Sequence, residues 1–321
     1  YLQKIDSRGF IKSIFSFSKY FNKRTPDIIL VAMYMEAIKL ILARCLSDHK
    51  PKIIINGSAH FSSLIRNSES KLIKLLLKPL AKIFYPLADF FICQSNGLKK
   101  DLEVTLKLSP SKLCTIYNAI LEPNIDHSVQ KNLPHSWFKE SPSNSFKLIM
   151  AGRLVPQKGI VEFIDIFKVL RKDENIQLLI MGEGDEKHRI QKKISTNNLG
   201  NHIEIIPFQH NFHSFIERSD LMIVNSTYEG LNNMIVHALA TGTSVISRNC
   251  PSGPSEILEG GKFGRLVALG DDDCMIEMIK NEIRRPAFKK EALIERSKDF
   301  SINACADAYK KIFLKCIDES K

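Results

Sequence analysis

The chain has 321 residues, 44% of them hydrophobic and 25% charged, with 13 Pro, 15 Gly and a net charge of +11. That composition excludes a disordered, collagenous or disulfide-stapled protein, and the length provides for two ordinary cores. No apolar run reaches the roughly 18 residues of a spanning helix, and seven cysteines without a CxxC pair point to a reducing compartment and away from a zinc site.

The first residue is Tyr and no signal peptide follows it, so a fragment is expected. Residues 1–26 hold one glycine, Gly9, and no apolar strand. Strands are predicted at residues 27–31, 52–55, 90–93 and 112–116, each followed by a helix or turn. Between the second and third lies Lys71-Leu-Ile-Lys-Leu-Leu-Leu-Lys-Pro-Leu-Ala-Lys82. Lys71, Lys74, Lys78 and Lys82 recur at spacings of three and four, which places them in one stripe on a helix. Two readings are open: a surface helix with a core face and a solvated lysine face, or an interfacial helix lying on an anionic lipid surface. Charge is concentrated in this half. Residues 1–140 hold 21 Lys/Arg against 11 Asp/Glu, whereas residues 141–321 hold 25 against 24. A basic half beside a neutral one suggests a face that meets something anionic. No basic stripe is interleaved with aromatics, so nucleic acid is not an expected partner.

Residues 134–145 are polar and broken by prolines, and they read as a linker between two domains. After them, short apolar runs alternate with helical periods. Strands are predicted at residues 147–151, 176–181, 203–206, 221–224, 244–247 and 265–267. Helices are predicted at 160–170, from about 185, and at 212–218, 232–240, 253–258 and 272–283. Continuous apolar strands alternating with helices mean a parallel sheet covered on both faces. The predicted fold class is therefore α/β, with two Rossmann-like parallel-sheet domains, residues 1–140 and 141–298, followed by a C-terminal helical segment, 299–321. Ligands of such sheets bind beyond the carboxyl ends of the strands.

Three strand ends carry chemistry. Gly152-Arg-Leu-Val-Pro-Gln-Lys-Gly159 frames Arg153 and Lys158 with glycines on a loop that opens a helix, an arrangement suited to phosphate but also compatible with two plain surface cations. Gly182-Glu-Gly184 lacks the third glycine of a dinucleotide fingerprint, because Lys187 stands there. Asn225-Ser-Thr-Tyr-Glu-Gly-Leu-Asn-Asn leads from a strand through Glu229-Gly230 into a helix whose free amides favour an anion. Eight helical residues rise about 12 Å, so Glu229 and His237 are placed to meet the two ends of a nucleotide-sugar.

These residues resemble the family 4 retaining glycosyltransferases of the GT-B fold, which use nucleotide-sugar donors. The resemblance runs from about Lys19 to Phe313. Gly152-Arg153 with Lys158-Gly159 is similar to the family's diphosphate-gripping loop, which implies that Arg153 and Lys158 neutralise the departing diphosphate. Tyr228-Glu229-Gly230 resembles the start of the Glu-x7-Glu motif, which implies that Glu229 contacts the donor hexose. The resemblance adds Gly152, Gly182, Gly184, Gly230, Leu231, Asn232 and Asn233 to the donor site, with Phe208 and Gln209 at the base. Cys250-Pro-Ser-Gly-Pro-Ser-Glu-Ile-Leu258 is similar to bacterial members that build lipopolysaccharide, capsule or lipid-linked glycans. Asp299-Phe-Ser301 and the helix after it resemble the C-terminal helix that crosses back to the first domain. Ala88-Asp89, Ser95, Gly97 and Tyr117-Asn118 also fit the family's patterns.

Two departures stand out. His237 occupies the place of the second Glu, and a neutral imidazole offers one acceptor nitrogen where a carboxylate offers several. The family's opening strand, Gly-rich loop and helix are not found, so the first domain is expected to be truncated. His60, after the strand at 52–55, would face the donor sugar by resemblance, although a lone loop histidine is as often structural. Asp271-Asp-Asp273 is expected to begin a helix, and neither a metal nor another cofactor is expected. The resemblance implies transfer of a hexose or N-acetylhexosamine from a UDP-sugar to a lipid-linked or lipopolysaccharide or capsule glycan. It also implies a cytoplasmic location, peripheral at the inner face of the bacterial cytoplasmic membrane. The alternatives are a non-catalytic, truncated or degenerate relative acting as a binding protein, and a GT-B-fold epimerase.

Overall fold

The structure, a computed structural model, describes residues 9–58, 60–68, 70–121 and 145–318. The segment expected as a linker, apart from Ser145, lies outside the described residues. The chain divides into two compact units, Tyr1–Asn118 with Cys305–Lys321, and Ala119–Ala304.

The first unit holds a four-stranded parallel sheet in the order β1 (Ile28–Val31), β2 (Lys52–Gly57), β3 (Phe90–Cys93), β4 (Leu113–Thr115). Helices α1 (Phe10–Arg24), α2 (Tyr34–Cys45), α3 (Phe61–Asn67), α4 (Lys71–Phe84) and α5 (Asn96–Leu106) accompany it. α1 was not anticipated from the sequence. α5 starts where Ser95 supplies a cap, its Oγ accepting from the Leu98 amide at 3.1 Å. Asp89 accepts from Arg44 on α2 at 2.6 Å and from the Ile53 amide on β2 at 2.9 Å, so one carboxylate pins a helix to the sheet. α4 is capped by Ser70 and runs through Pro79. Leu77 and Ala81 are its buried side chains, and Ile73, Leu80 and Phe84 pack partly buried against the same core. The last helix, α13 (Ile302–Asp318), buries Cys305 and Cys316 against Ile54, Phe90, Ile92 and Ile116. All seven cysteines are free thiols.

In the second unit each of the six anticipated strands forms: β5 (Phe146–Ala151), β6 (Ile176–Met181), β7 (Ile203–Ile206), β8 (Leu221–Val224), β9 (Ser244–Arg248) and β10 (Arg265–Val267). They pair in parallel in the order β10-β9-β8-β5-β6-β7. The covering helices are α6 (Ile160–Leu170), α7 (Lys187–Thr196), α8 (Phe212–Glu217), α9 (Asn233–Thr241), α10 (Pro254–Ile257), α11 (Asp272–Arg284) and α12 (Lys290–Ser297), the last of them unanticipated. α6 shows why the pattern was readable. It buries Ile160, Val161, Phe163, Ile164, Ile166, Phe167 and Leu170, and each large apolar side chain contributes about 1.5–3 kcal/mol by leaving water. Asp271 caps α11, accepting from the Cys274 amide at 3.0 Å, so the Asp271-Asp-Asp273 run does begin a helix. Strand order reverses between β5 and β8, which pair through Leu148–Leu221 and Ile149–Met222. A reversal of this kind opens a crevice at the strands' carboxyl ends.

Candidate active site

Gly152, Lys158 and Asn232, three of the predicted residues of the second unit, line that crevice. A pocket of about 270 Å³, open to solvent, lies at the ends of β5 and β8, and its lining includes Gly152, Lys158, Val224, Asn225, Ser226 and Asn232. Lys158 ends a short turn before α6, and its Nζ donates to Glu229 Oε1 at 2.6 Å. Glu229 is only 5% exposed. Its Oε1 also accepts from Asn232 Nδ2 at 2.9 Å, and its backbone amide donates to the Pro251 carbonyl at 3.2 Å. Gln157 Nε2 donates to the Tyr228 carbonyl at 2.7 Å, and the Thr227 amide donates to the Gln157 carbonyl at 2.9 Å. The loops after β5 and β8 are thus stitched together around one carboxylate and one ammonium.

Glycine makes this approach possible at two points. Gly182 has φ +157, and a Cβ there would stand 1.8 Å from the Gly152 carbonyl oxygen. Gly159 has φ +60, and a Cβ there would stand 2.4 Å from the Asn225 carbonyl oxygen. Gly182 and Gly184 therefore serve backbone clearance: they let the loop after β6 press against the loop after β5. Asn232, the residue before α9, has φ +72, and Ser252 has φ +67. Non-glycine residues held in this region carry strain, and such strain gathers at functional sites. Here both belong to the segments that enclose Glu229. Leu231 is buried, while Asn233 is exposed on the first turn of α9.

Arg153 is exposed and has no acidic partner among the described residues. Its charge nevertheless reaches Tyr228, whose hydroxyl is pushed up by burial and by Glu229 and pulled down by Arg153. Cys250 is also near the carboxylate. Burial, reinforced by Glu229, raises its thiol to about 12, so it is inert as a nucleophile.

His237 lies on α9 with Nδ1 3.0 Å from His213 Nε2 on α8. Phe212 packs edge-on to the His237 ring at 4.8 Å, and Phe208, 49% exposed, lies 5.2 Å from Phe212. Burial, with His213 adding to it, lowers the His237 pKa to about 4, so the ring is neutral at ordinary pH. Gln209 turns back on its own chain, donating to the Pro207 carbonyl at 3.0 Å. His213 leaves no local signature, because its partner is 24 residues away.

A buried support with no local sequence signature stands behind Asn225, which lines the pocket. Arg248, at the end of β9, is 4% exposed. Its Nε donates to Asn225 Oδ1 at 2.7 Å, one Nη donates to the carbonyls of Ala268 and Asp271, and the other pairs with Asp272. Asn225 Nδ2 in turn donates to the Gly159 carbonyl at 2.7 Å. A guanidinium thereby fixes an amide that fixes the turn carrying Lys158.

His60 belongs to the first unit, just before α3. Its Nδ1 faces Ser63 Oγ at 3.1 Å and Asp101 Oδ2 at 3.4 Å. Burial lowers its pKa against the opposing pull of Asp101. Among the described residues no group of three or more His, Cys, Asp or Glu is arranged to hold a metal ion.

The family model described as glycosyl transferases group 1 matches residues 134–300, and that of glycosyltransferase family 4 matches residues 5–120. The chain is 30% identical, over 71% of its length, to an uncharacterized glycosyltransferase of Methanocaldococcus jannaschii, of which it spans 64%. It is 26% identical, over 84% of its length, to the N-acetylgalactosamine-N,N'-diacetylbacillosaminyl-diphospho-undecaprenol 4-alpha-N-acetylgalactosaminyltransferase of Campylobacter jejuni, of which it spans 72%. Among solved structures, Anabaena HepE in complex with UDP-glucose matches with a TM-score of 0.74 at 17% identity, covering 90% of this chain and 79% of that one, a likeness of fold.

Proposed function

This chain belongs to the group 1 glycosyl transferases, and on that premise we propose that it is a retaining transferase moving a hexose or N-acetylhexosamine from a UDP-sugar to a lipid-linked, lipopolysaccharide or capsule glycan. The observation that carries the reading is the meeting of Lys158, Glu229 and the start of α9 at the point where strand order reverses. In this reading the diphosphate lies over the turn at Gly152–Gly159 and the first amides of α9. Lys158 and Arg153 balance the charge that develops as it departs, which is the largest catalytic contribution. Glu229 holds the hexose and supports positive charge at the anomeric carbon. Phe208 and Gln209 meet the base and His237 the ribose. Departure and attack on one face of the sugar need no covalent nucleophile. The names of relatives support the donor and acceptor classes: one neighbour is solved with UDP-glucose, and the Campylobacter relative is named for a diphospho-undecaprenol substrate. The acceptor class places the protein at the inner face of the cytoplasmic membrane, bound peripherally.

The test is calorimetric titration with UDP and UDP-sugars, followed by donor hydrolysis and transfer assays. A lost charge-assisted hydrogen bond costs about 1.5–3 kcal/mol, so Lys158→Ala is expected to lower the rate roughly tenfold to a hundredfold. Unchanged rates in both Lys158→Ala and Arg153→Ala would remove the phosphate assignment. One observation favours the binding-protein alternative: the His237 ring at the second-Glu position is already bonded to His213. UDP binding without turnover of any sugar nucleotide would establish that alternative.

A further inference from the structure

α4 has three faces, and among the described residues one of them packs into the core. At 3.6 residues per turn, the core-facing set (Ile73, Leu77, Leu80, Ala81, Phe84), the lysines (Lys71, Lys74, Lys78, Lys82) and a second apolar set centre about 120° apart. The second set is Leu72, Leu75, Leu76, Pro79 and Ile83. Leu72, Leu75 and Ile83 are 65%, 71% and 63% exposed, and Leu76 is 40% exposed. None of the four lysines pairs with an acid among the described residues. A surface helix of an ordinary core needs the first face and tolerates the second, but it gains nothing from large aliphatic side chains held in water on a third.

We infer that this third face is the protein's contact with an anionic lipid bilayer: Leu72, Leu75, Leu76, Pro79 and Ile83 enter the headgroup–acyl boundary, and the lysine stripe beside them reaches the lipid phosphates. The helix is about 21 Å long and lies in the plane of the surface. Long lysine stems keep their ammonium groups at phosphate level while the apolar stripe sinks. Charge complementarity selects this occupant. A second copy of the chain would bring four lysines against four more. A nucleic acid would satisfy the lysines and leave the leucines wet. The inference deepens the proposed function on its acceptor side and rests on it for its purpose, since a lipid-linked acceptor is met at such a surface.

Flotation of the full chain with phosphatidylcholine vesicles, with and without phosphatidylglycerol, tests it. The chain is expected to float with the anionic vesicles and to be released by high salt. Lys74→Ala with Lys78→Ala is expected to lower partitioning about thirtyfold, at roughly a factor of five per lysine. Leu72→Ser with Leu75→Ser and Ile83→Ser is expected to lower it about tenfold or more. These side chains are exposed, so circular dichroism is expected to be unchanged in both variants. UDP affinity, measured in parallel, reads the donor site alone, so either reading can fail without the other. Absence of flotation, or flotation of both variants like the parent chain, overturns the inference. So does a dimer that Leu75→Asp dissociates, which would give this face to a second copy.

Discussion

At the scale of single residues, His237 has a measurable signature. Its pKa falls from the usual 6.5 to about 4 in the folded chain. As pH drops, the unfolded chain takes up this proton first. The stabilisation is therefore complete above the unfolded value and is lost progressively between pH 6.5 and about 4. It amounts to roughly 3 kcal/mol. Urea unfolding at pH 7 and pH 5 is expected to show the loss, and His237→Gln is expected to flatten that slope. A pH dependence that His237→Gln leaves unaltered would assign the titration elsewhere. The sequence located this residue from its spacing to Glu229. It did not reveal the partner, because a ring on α8 and a ring on α9 meet only after both helices have packed.

At the scale of elements, the parallel strands were the most legible feature, because a strand buried on both faces must be apolar along its whole length. β8 (Leu221–Val224) announces itself in this way, and so does β6 (Ile176–Met181) apart from Gln177. α1 and α12 were less legible: α1 carries only four buried residues over fifteen, and α12 buries only Leu293 and Ser297. The tie between β9 and α6 was illegible. Arg248 and Asn225 are 23 positions apart, and Asn225 and Gly159 are 66 apart, so no local pattern signals them. Their consequence is testable. Arg248→Met leaves Asn225 Oδ1 without a donor and takes one of two donors from each of the Ala268 and Asp271 carbonyls, which is expected to destabilise the chain by about 3 kcal/mol. UDP affinity should fall with it, because the turn carrying Lys158 loses its anchor. Arg248→Lys should recover little, since an ammonium cannot span three directions as a guanidinium does. Denaturant midpoints together with UDP titration check both effects, and a variant of parental stability and affinity would show that Arg248 supports nothing.

At the scale of the whole molecule, each sheet has its own buried core among the described residues, and the first sheet carries a further cluster of Ile54, Phe90 and Ile92 with Cys305 and Cys316. The residues assigned to the donor, His60 excepted, lie within Ala119–Ala304. Scanning calorimetry is expected to resolve two transitions, of which UDP raises one. At a hundredfold excess over its dissociation constant the ligand adds about 2.7 kcal/mol to the unit that binds it. Equal displacement of both transitions would mean that the cores unfold as one. The pairing of Lys158 with Glu229 has a consequence for how that ligand enters. The ammonium already has an anion at 2.6 Å before any donor arrives, so the turn is no bare positive well. On the proposed function, entry of the donor pyrophosphate would be an exchange of counter-ions, in which a resident carboxylate yields its place, and affinity would follow the difference between two anions rather than the pull on either.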